Sequence, residues 1–471
     1  MKTATQGRKS SAIFRRGCIY TGGSFSQEAE STVTFENCTA FGLFGSGGGG
    51  ARVSENFTQG AKSSAIFRSC SASKGGALVA VFLGLNMLEP LTALFRVCRV
   101  LQGGCLYTAG SFLQEAESTV TFENCTAFGR DGGGARVKTF TQGAKSSAIF
   151  RSCSASKGGG CLYTVGSFSQ AEECTVIFEN CTGASVASGS PLGDERVGEL
   201  KALLAGMSGS GGGGARVNES FTQGRNSSAI FRSCSASEYG AWAAAFLNML
   251  EPLTAFFGVC RVPEGGGLST GGSFSQAEEC TVIFENCTGS GGGGARVSEN
   301  FTQGRNSSAI FRSCSASEYG GGLYAGGSFS QAEESAVTFE NCTGSGGGGA
   351  RVNENFTQGR NSSAIFRSCS ASFGDGGGVA TKVLNGNGSM HFKACRARTG
   401  GGLSITGGTV RHDGSLAFEE CNASNTGGGL YMVGGQGLFG KLLFDRCDAD
   451  VAAAALAAIA ANGTEAELRL E

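Results

Sequence analysis

Apolar and polar residues alternate along this chain in short bursts. In "STVTFENC", Val33 and Phe35 fall on one face of an extended segment, with Thr34 and Glu36 on the other. "SSAIFRSC" and "GSLAFEEC" repeat the pattern. A second kind of run follows glycines, as in "GGGARV", "GGGLYT", "GGGLSI" and "GGGLYM", where Leu403 and Ile405 share a face opposite Ser404. Alternation of this kind predicts half-buried strands joined by Gly-rich turns.

The runs recur on a fixed period. Phe-x-x-Cys occurs fifteen times, and most successive Phe residues are 26 to 28 positions apart. The ladder includes Phe35 with Cys38, Phe231 with Cys234, Phe284 with Cys287, Phe311 with Cys314, Phe339 with Cys342 and Phe366 with Cys369. The 53-residue gap from Phe178 to Phe231 is close to two periods, Phe14 precedes the series and Leu470 extends it. One such unit cannot bury its apolar face, whereas stacked units form a continuous core. The expected fold is therefore all-β, a single parallel β-helix over residues 1–471. Sixteen or seventeen coils of about 27 residues, at ~4.8 Å per coil, would make a rod of roughly 80 Å. Both ends of the chain fall inside a unit, so neighbouring coils are expected beyond them. Central strands tolerate little proline, and only 4 occur, all in the least regular segments.

The residue after Phe supports the stack. It alternates between Glu and Arg (Glu123, Arg151, Glu179; Arg312, Glu340, Arg367), so registered coils would place opposite charges one above another. Arg96 beside Arg68 breaks the alternation, and Gly258 leaves a gap in it. Segments 77–95 and 241–257 read as modified coils; as membrane spans they would carry Asn86, Glu89 and Pro90 mid-segment. Residues 183–210 read as an inserted loop or short helix. Residues 451–471 read as a degenerate last coil or a helix, because "VAAAALAAIAANG" has helical propensity but aligns with "GGGLSITGG".

Composition narrows the function classes. The 37 basic and 38 acidic residues nearly balance, and no basic patch points to nucleic acid. Met1 is followed by no apolar run, so no secretory signal is visible, and nothing in the pattern asks for a cofactor. Sequons at Asn56, Asn226, Asn306, Asn361 and Asn422 suit glycosylation in a secreted eukaryotic product. None of the 20 cysteines forms a Cys-x-x-Cys pair, and the 2 histidines lie far from most of them, which disfavours a metal site or a thiolate nucleophile. Identical stacked positions give parallel Cβ vectors that do not readily close a disulfide. The cysteines are expected as mostly reduced thiols, small apolar side chains tiling an inward corner, with occasional disulfides in an extracellular setting.

The repeats resemble those of the chlamydial polymorphic outer membrane proteins, which carry Gly-Gly-(Ala/Ile/Leu/Val)-x and Phe-x-x-Asn. Here "GGLY" stands at Gly321 and Gly428, "GGAR" at Gly349 and "GGLS" at Gly402, with Phe-x-x-Cys for Phe-x-x-Asn. The resemblance implies a right-handed, pectin-lyase-like β-helix, surface or extracellular display and adhesion. Two departures stand out. Cys replaces the motif Asn, although Asn37, Asn124, Asn180, Asn286 and Asn341 sit one position earlier, and the family's C-terminal membrane barrel has no counterpart.

Two functional readings follow. A rod with a repeated outward face suits multivalent weak binding to a glycan or protein surface, as a non-enzymatic scaffold or adhesin. Its contact stripe would be Tyr107, Tyr163 and Tyr324 with Arg52, Arg136, Arg216, Arg296 and Arg351. The alternative is a polysaccharide lyase or hydrolase, which needs clustered carboxylates beside Arg or Lys. Its candidates are Asp375, Arg411, His412 and Asp413, in the diverged C-terminal coils.

Overall fold

The structure is a computed structural model. It describes residues 3–16, 19–40, 49–72, 77–80, 84–87, 92–100, 104–128, 132–156, 159–183, 215–222, 227–236, 242–248, 253–261, 265–408, 410–434, 436–451, 456–459 and 467–470. All regular structure among them is β-strand. A central coil runs through four strands, Leu323–Ala325, Phe329–Gln331, Ala336–Glu340 and Thr343–Gly344. Each pairs in parallel with its equivalents one coil away: Leu323 opposes Ala295 and Ala350, and Phe339 opposes Phe311 and Phe366. This is a parallel β-helix. The first and third strands are the two runs that the alternation predicts. The second, Phe-x-Gln, and the two-residue fourth are additional.

The core follows from the period. Sixteen phenylalanine rings, Phe14 to Phe444, stack one per coil with centroids 4.7–5.1 Å apart. Val33 and Phe35 point in, and Thr34 and Glu36 are half-exposed. Ser404, expected on the outer face, is buried between Ala380 and Tyr431 in its column. The glycine before each first strand lies flat on this ring stack: a Cβ on Gly294 would stand 2.7 Å from Cδ1 of Phe311.

The corner between third and fourth strands needs a left-handed residue. Asn37, Asn124, Asn180, Asn286 and Asn341 occupy it with φ of 52–54°, and Ser69 and Ser152 do so elsewhere. Asn tolerates that conformation better than most residues. The asparagines next to the cysteines are thus corner residues.

Phe178 stacks on Phe231 at 4.8 Å, so the 53-residue gap spans one coil step where two were expected. Residues 184–214, which hold nearly all of the predicted insertion, lie outside the described residues. In the modified coils, Leu78–Ala80, Gly84–Met87 and Thr92–Arg96 keep register with both neighbours, as do Trp242–Asn248 and Leu253–Gly258, the former with one register shift. Among the described residues no helix is long and apolar enough to cross a membrane. Near the end, Leu456–Ile459 is a strand beside Leu430–Val433. Leu470 opposes Phe439, a second-strand position, and so does not extend the Phe444 column; Leu468 and Leu470 match the alternation of Gly437 and Phe439.

The charge alternation becomes ion pairs between adjacent coils: Arg15–Glu36 at 3.2 Å, Arg151–Glu179 at 3.1 Å and Arg312–Glu340 at 3.5 Å. Their arginine side chains are at least half exposed, so each pair contributes a few tenths of a kcal/mol at most. Arg68 faces Arg96, and Arg232 faces Gly258, where its guanidinium lies 5.7 Å from the ring centre of Phe256.

Candidate functional site

In the first strands that carry the described Tyr and Arg side chains the middle residue points outward, and register gathers the predicted stripe into one column. Tyr107, Arg136, Tyr163 and Arg216 are consecutive rungs, as are Arg296, Tyr324 and Arg351; Arg52 follows Tyr20. The Arg136 guanidinium lies 5.5 Å from the ring centre of Tyr107 and 5.7 Å from that of Tyr163, and Arg52 is 5.4 Å from Tyr20. A cation over an aromatic face is held without losing its outward hydrogen-bonding edge. Tyr107, Arg136, Tyr163, Arg296, Tyr324 and Arg351 are half-buried, whereas Tyr20 is exposed. Asn353 extends the surface, donating from Nδ2 to Tyr324 Oη (2.9 Å) and accepting from Arg351 Nε (3.3 Å). Val79, Ala243 and Ser269 interrupt the column, dividing it into separate patches.

A second outward column lies on the narrow sheet of fourth strands. Thr39 and Ser71 hydroxyls are 3.2 Å apart, and Thr126/Ser154, Thr182/Ser235 and Thr288/Ser315 repeat the contact at 3.4 Å. Arg261, Thr288, Ser290, Ser315, Ser317 and Thr343 line a shallow groove of about 510 Å³ there. The sequence signal was the Thr or Ser directly after ten of the fifteen ladder cysteines.

The enzyme candidates do not converge. Asp375 precedes the first strand of its coil and pairs with Arg398 at 3.3 Å and with the Thr399 hydroxyl. Arg411 and Asp413 face outward, 3.5 Å apart, at the junction of second and third strands. His412 between them points inward and is fully buried. Its Nε2 lies 3.0 Å from Gln358 Oε1, so Nε2 carries the proton, and burial lowers its pKa to about 4 against a weaker opposing pull from Asp413.

His412 ends a feature that the sequence reading missed. The second strands carry a buried glutamine column. Gln142 Nε2 donates to Gln114 Oε1 (3.3 Å), Gln170 to Gln142 (2.9 Å), Gln331 to Gln303 (3.2 Å) and Gln358 to Gln331 (3.0 Å). The internal amide ladder is therefore built of Gln. Gly386 occupies the rung between Gln358 and His412, and its missing side chain lets the imidazole reach across a coil.

The ladder cysteines point inward as expected, but the expectation of purely apolar tiles is corrected. Each sulfur approaches backbone carbonyls, because the tight corner leaves those oxygens facing the core. Cys314 Sγ is 3.5 Å from the carbonyl of Phe284, and Cys342 and Cys369 repeat this to Phe311 and Phe339. Cys287 Sγ lies 3.4 Å from the Phe257 carbonyl and Cys234 Sγ 3.6 Å from that of Phe178. The same correction holds at Cys38, which is fully buried. Its Sγ lies 3.6 Å from the Phe14 carbonyl and 3.7 Å from that of Glu36. Burial pushes the Cys153 and Cys234 thiols up to about 12, which leaves almost no thiolate at neutral pH.

Two disulfides form, Cys105–Cys125 and Cys161–Cys181, so the ladder is not uniformly reduced. Neither joins stacked rungs; each ties a cysteine at the head of a first strand to the ladder cysteine of the same coil, 20 residues on. Cys38 stands at that same spacing, 20 residues after Cys18, and Cys18 lies outside the described residues.

Among known proteins, a family profile described as the right handed beta helix region matches residues 16–193. No curated protein and no solved structure matches the chain. The parallel coils and that match together describe a right-handed β-solenoid.

Proposed function

We propose that this rod is a non-enzymatic scaffold or surface adhesin that binds a glycan or protein surface through many weak, equivalent contacts. The carrying observation is the laminated Tyr/Arg column, in which Arg136 sits between Tyr107 and Tyr163 and equivalent residues recur along the rod. The outward tyrosine edges and the arginine edges suit hydroxyl, carboxylate or sulfate groups. Repetition converts millimolar contacts into useful avidity. The two disulfides fit an oxidising, extracellular setting, in line with the surface display that the repeat resemblance implies.

The test is binding of the full chain to glycan and cell-surface arrays, at high and low ligand density. Binding that falls steeply with density, and falls at least tenfold in a combined Arg136→Ala, Arg296→Ala, Arg351→Ala variant, supports the reading. Blank arrays would leave a structural role. Polysaccharide turnover that disappears in Asp375→Ala or Asp413→Ala would favour the lyase or hydrolase alternative.

A further inference from the structure

Three sulfurs gather in the core across two neighbouring coils. Cys98, Cys105 and Cys125 are fully buried, and their Sγ atoms lie within 4.8 Å of one another. Cys98 and Cys125 are neighbouring rungs of the ladder, while Cys105 enters from the head of the first strand Leu106–Thr108. Cys105 and Cys125 are joined, and Cys98 is a thiol.

Backbone carbonyls surround the group. Cys98 Sγ is 3.8 Å from the Phe67 oxygen and 3.7 Å from that of Arg96. Cys105 Sγ is 3.7 Å from the Cys98 oxygen, and Cys125 Sγ is 3.7 and 3.8 Å from those of Phe95 and Glu123. As half-cystines, Cys105 and Cys125 have no proton to donate, so their contacts are close approaches of sulfur to carbonyl dipoles. A dry pocket ringed by the negative ends of dipoles resists net negative charge.

We propose that Cys98, Cys105 and Cys125 form a three-sulfur site for a trivalent metalloid hydroxide of the arsenite class once a dithiol reductant has opened the Cys105–Cys125 bond. The reductant gives two electrons and two protons to the disulfide and leaves as its own cyclic disulfide. As(OH)3 then exchanges three As–O bonds for three As–S bonds, and the three thiol protons depart with the hydroxides as three waters. Arsenic stays trivalent and the complex is neutral, so no counter-cation is needed in the core. Zinc fits poorly: three thiolates on a divalent ion leave a negative charge, and its structural sites take four ligands.

The next two-coil unit is an internal control. Cys161 is joined to Cys181 with its Sγ 3.6 Å from the Cys153 oxygen, but among the described residues these sulfurs do not form an equally tight trio.

The full chain, reduced with a dithiol and freed of it, is incubated with sodium arsenite alone under native conditions. Bound arsenic is measured after gel filtration, and its coordination by X-ray absorption. The expected result is one tightly held arsenic per chain with three sulfur neighbours, at least tenfold weaker binding in Cys98→Ser, unchanged binding in Cys153→Ser, and no comparable zinc uptake. Circular dichroism checks each fold; if Cys98→Ser is unfolded, the apolar Cys98→Ala replaces it. The proposal is overturned by a native reduced chain that holds no arsenic, by fewer than three sulfur neighbours, by equal losses in the Cys98 and Cys153 variants, or by zinc held as tightly.

Discussion

Replacing Gln331 by methionine isolates what the buried amide column contributes. Gln331 Nε2 donates to Gln303 Oε1 at 3.2 Å and to the Ser363 carbonyl at 3.1 Å, while its Oε1 accepts from Gln358 at 3.0 Å. Methionine has nearly the same length and keeps the apolar stem, so the change removes hydrogen bonds without opening a large void. Gln358 Nε2 retains the Ser389 carbonyl at 3.3 Å, so it is not orphaned. Gln303 Oε1 and the Ser363 carbonyl lose the donor that Gln331 supplies. The Ser363 carbonyl belongs to a strand residue paired with Ala336, so the stranded group is Gln303 Oε1, and a buried acceptor left unpaired costs about 1–3 kcal/mol. Equilibrium urea unfolding measures the cost, with hydrogen exchange in residues 300–365 reporting whether opening is local. Adding Gln303→Met removes the stranded oxygen itself, so the double variant should fall short of additivity by about 1 kcal/mol or more. A cost for Gln331→Met below about 0.5 kcal/mol, or strict additivity in the pair, would refute the ladder's role.

Further expectations concern pH, packing and cross-links. With an ordinary pKa of 6.5 unfolded and about 4 folded, His412 leaves stability unaffected above pH 6.5. Below that the unfolded chain takes up a proton that the folded one refuses, so stability falls by about 3 kcal/mol toward pH 4; His412→Gln should flatten this slope in urea titrations. Gly294→Val drives a side chain into the Phe311 ring and should cost about 1–3 kcal/mol or more, read as a lowered urea midpoint. Cutting Cys161–Cys181 by Cys161→Ser should cost about 3 kcal/mol, the loop entropy of a link across 20 residues; an unchanged thermal midpoint would contradict it. Arg312→Glu, which faces the half-exposed Glu340 at the surface, should cost less than about 1 kcal/mol and less still in high salt.

What could be read from the sequence was whatever repeats with a large side chain. Phe311 and Arg312 are legible because their spacing and alternation recur with little noise, and they fix coil, register and outward face together. The Tyr/Arg column was legible for the same reason. Gln331 was not, since a polar residue close to glycine and serine looks like a turn, and only the pairing of Phe329–Gln331 turns it inward. Asp375 and Asp413 looked like possible partners because both stand in unusual contexts, yet position around the coil separates them. The disulfides needed three dimensions too: Cys105 meets a cysteine of its own coil, and the ladder's period carries no information about that meeting. Nor does the period show that the sulfur of a rung such as Cys38 faces carbonyls, since only the corner geometry turns those oxygens inward.

The seam where Phe178 meets Phe231 has a consequence for how such a rod changes over generations. Fifty-three residues of sequence separate these two phenylalanines, and their rings still stack at 4.8 Å. Because the regular coils present the same ring stack to their neighbours, unequal exchange between repeats can add or delete whole two-coil blocks while keeping that stack continuous. Valency then becomes a heritable dial, turned by recombination in a single step, while point mutation tunes the individual contacts.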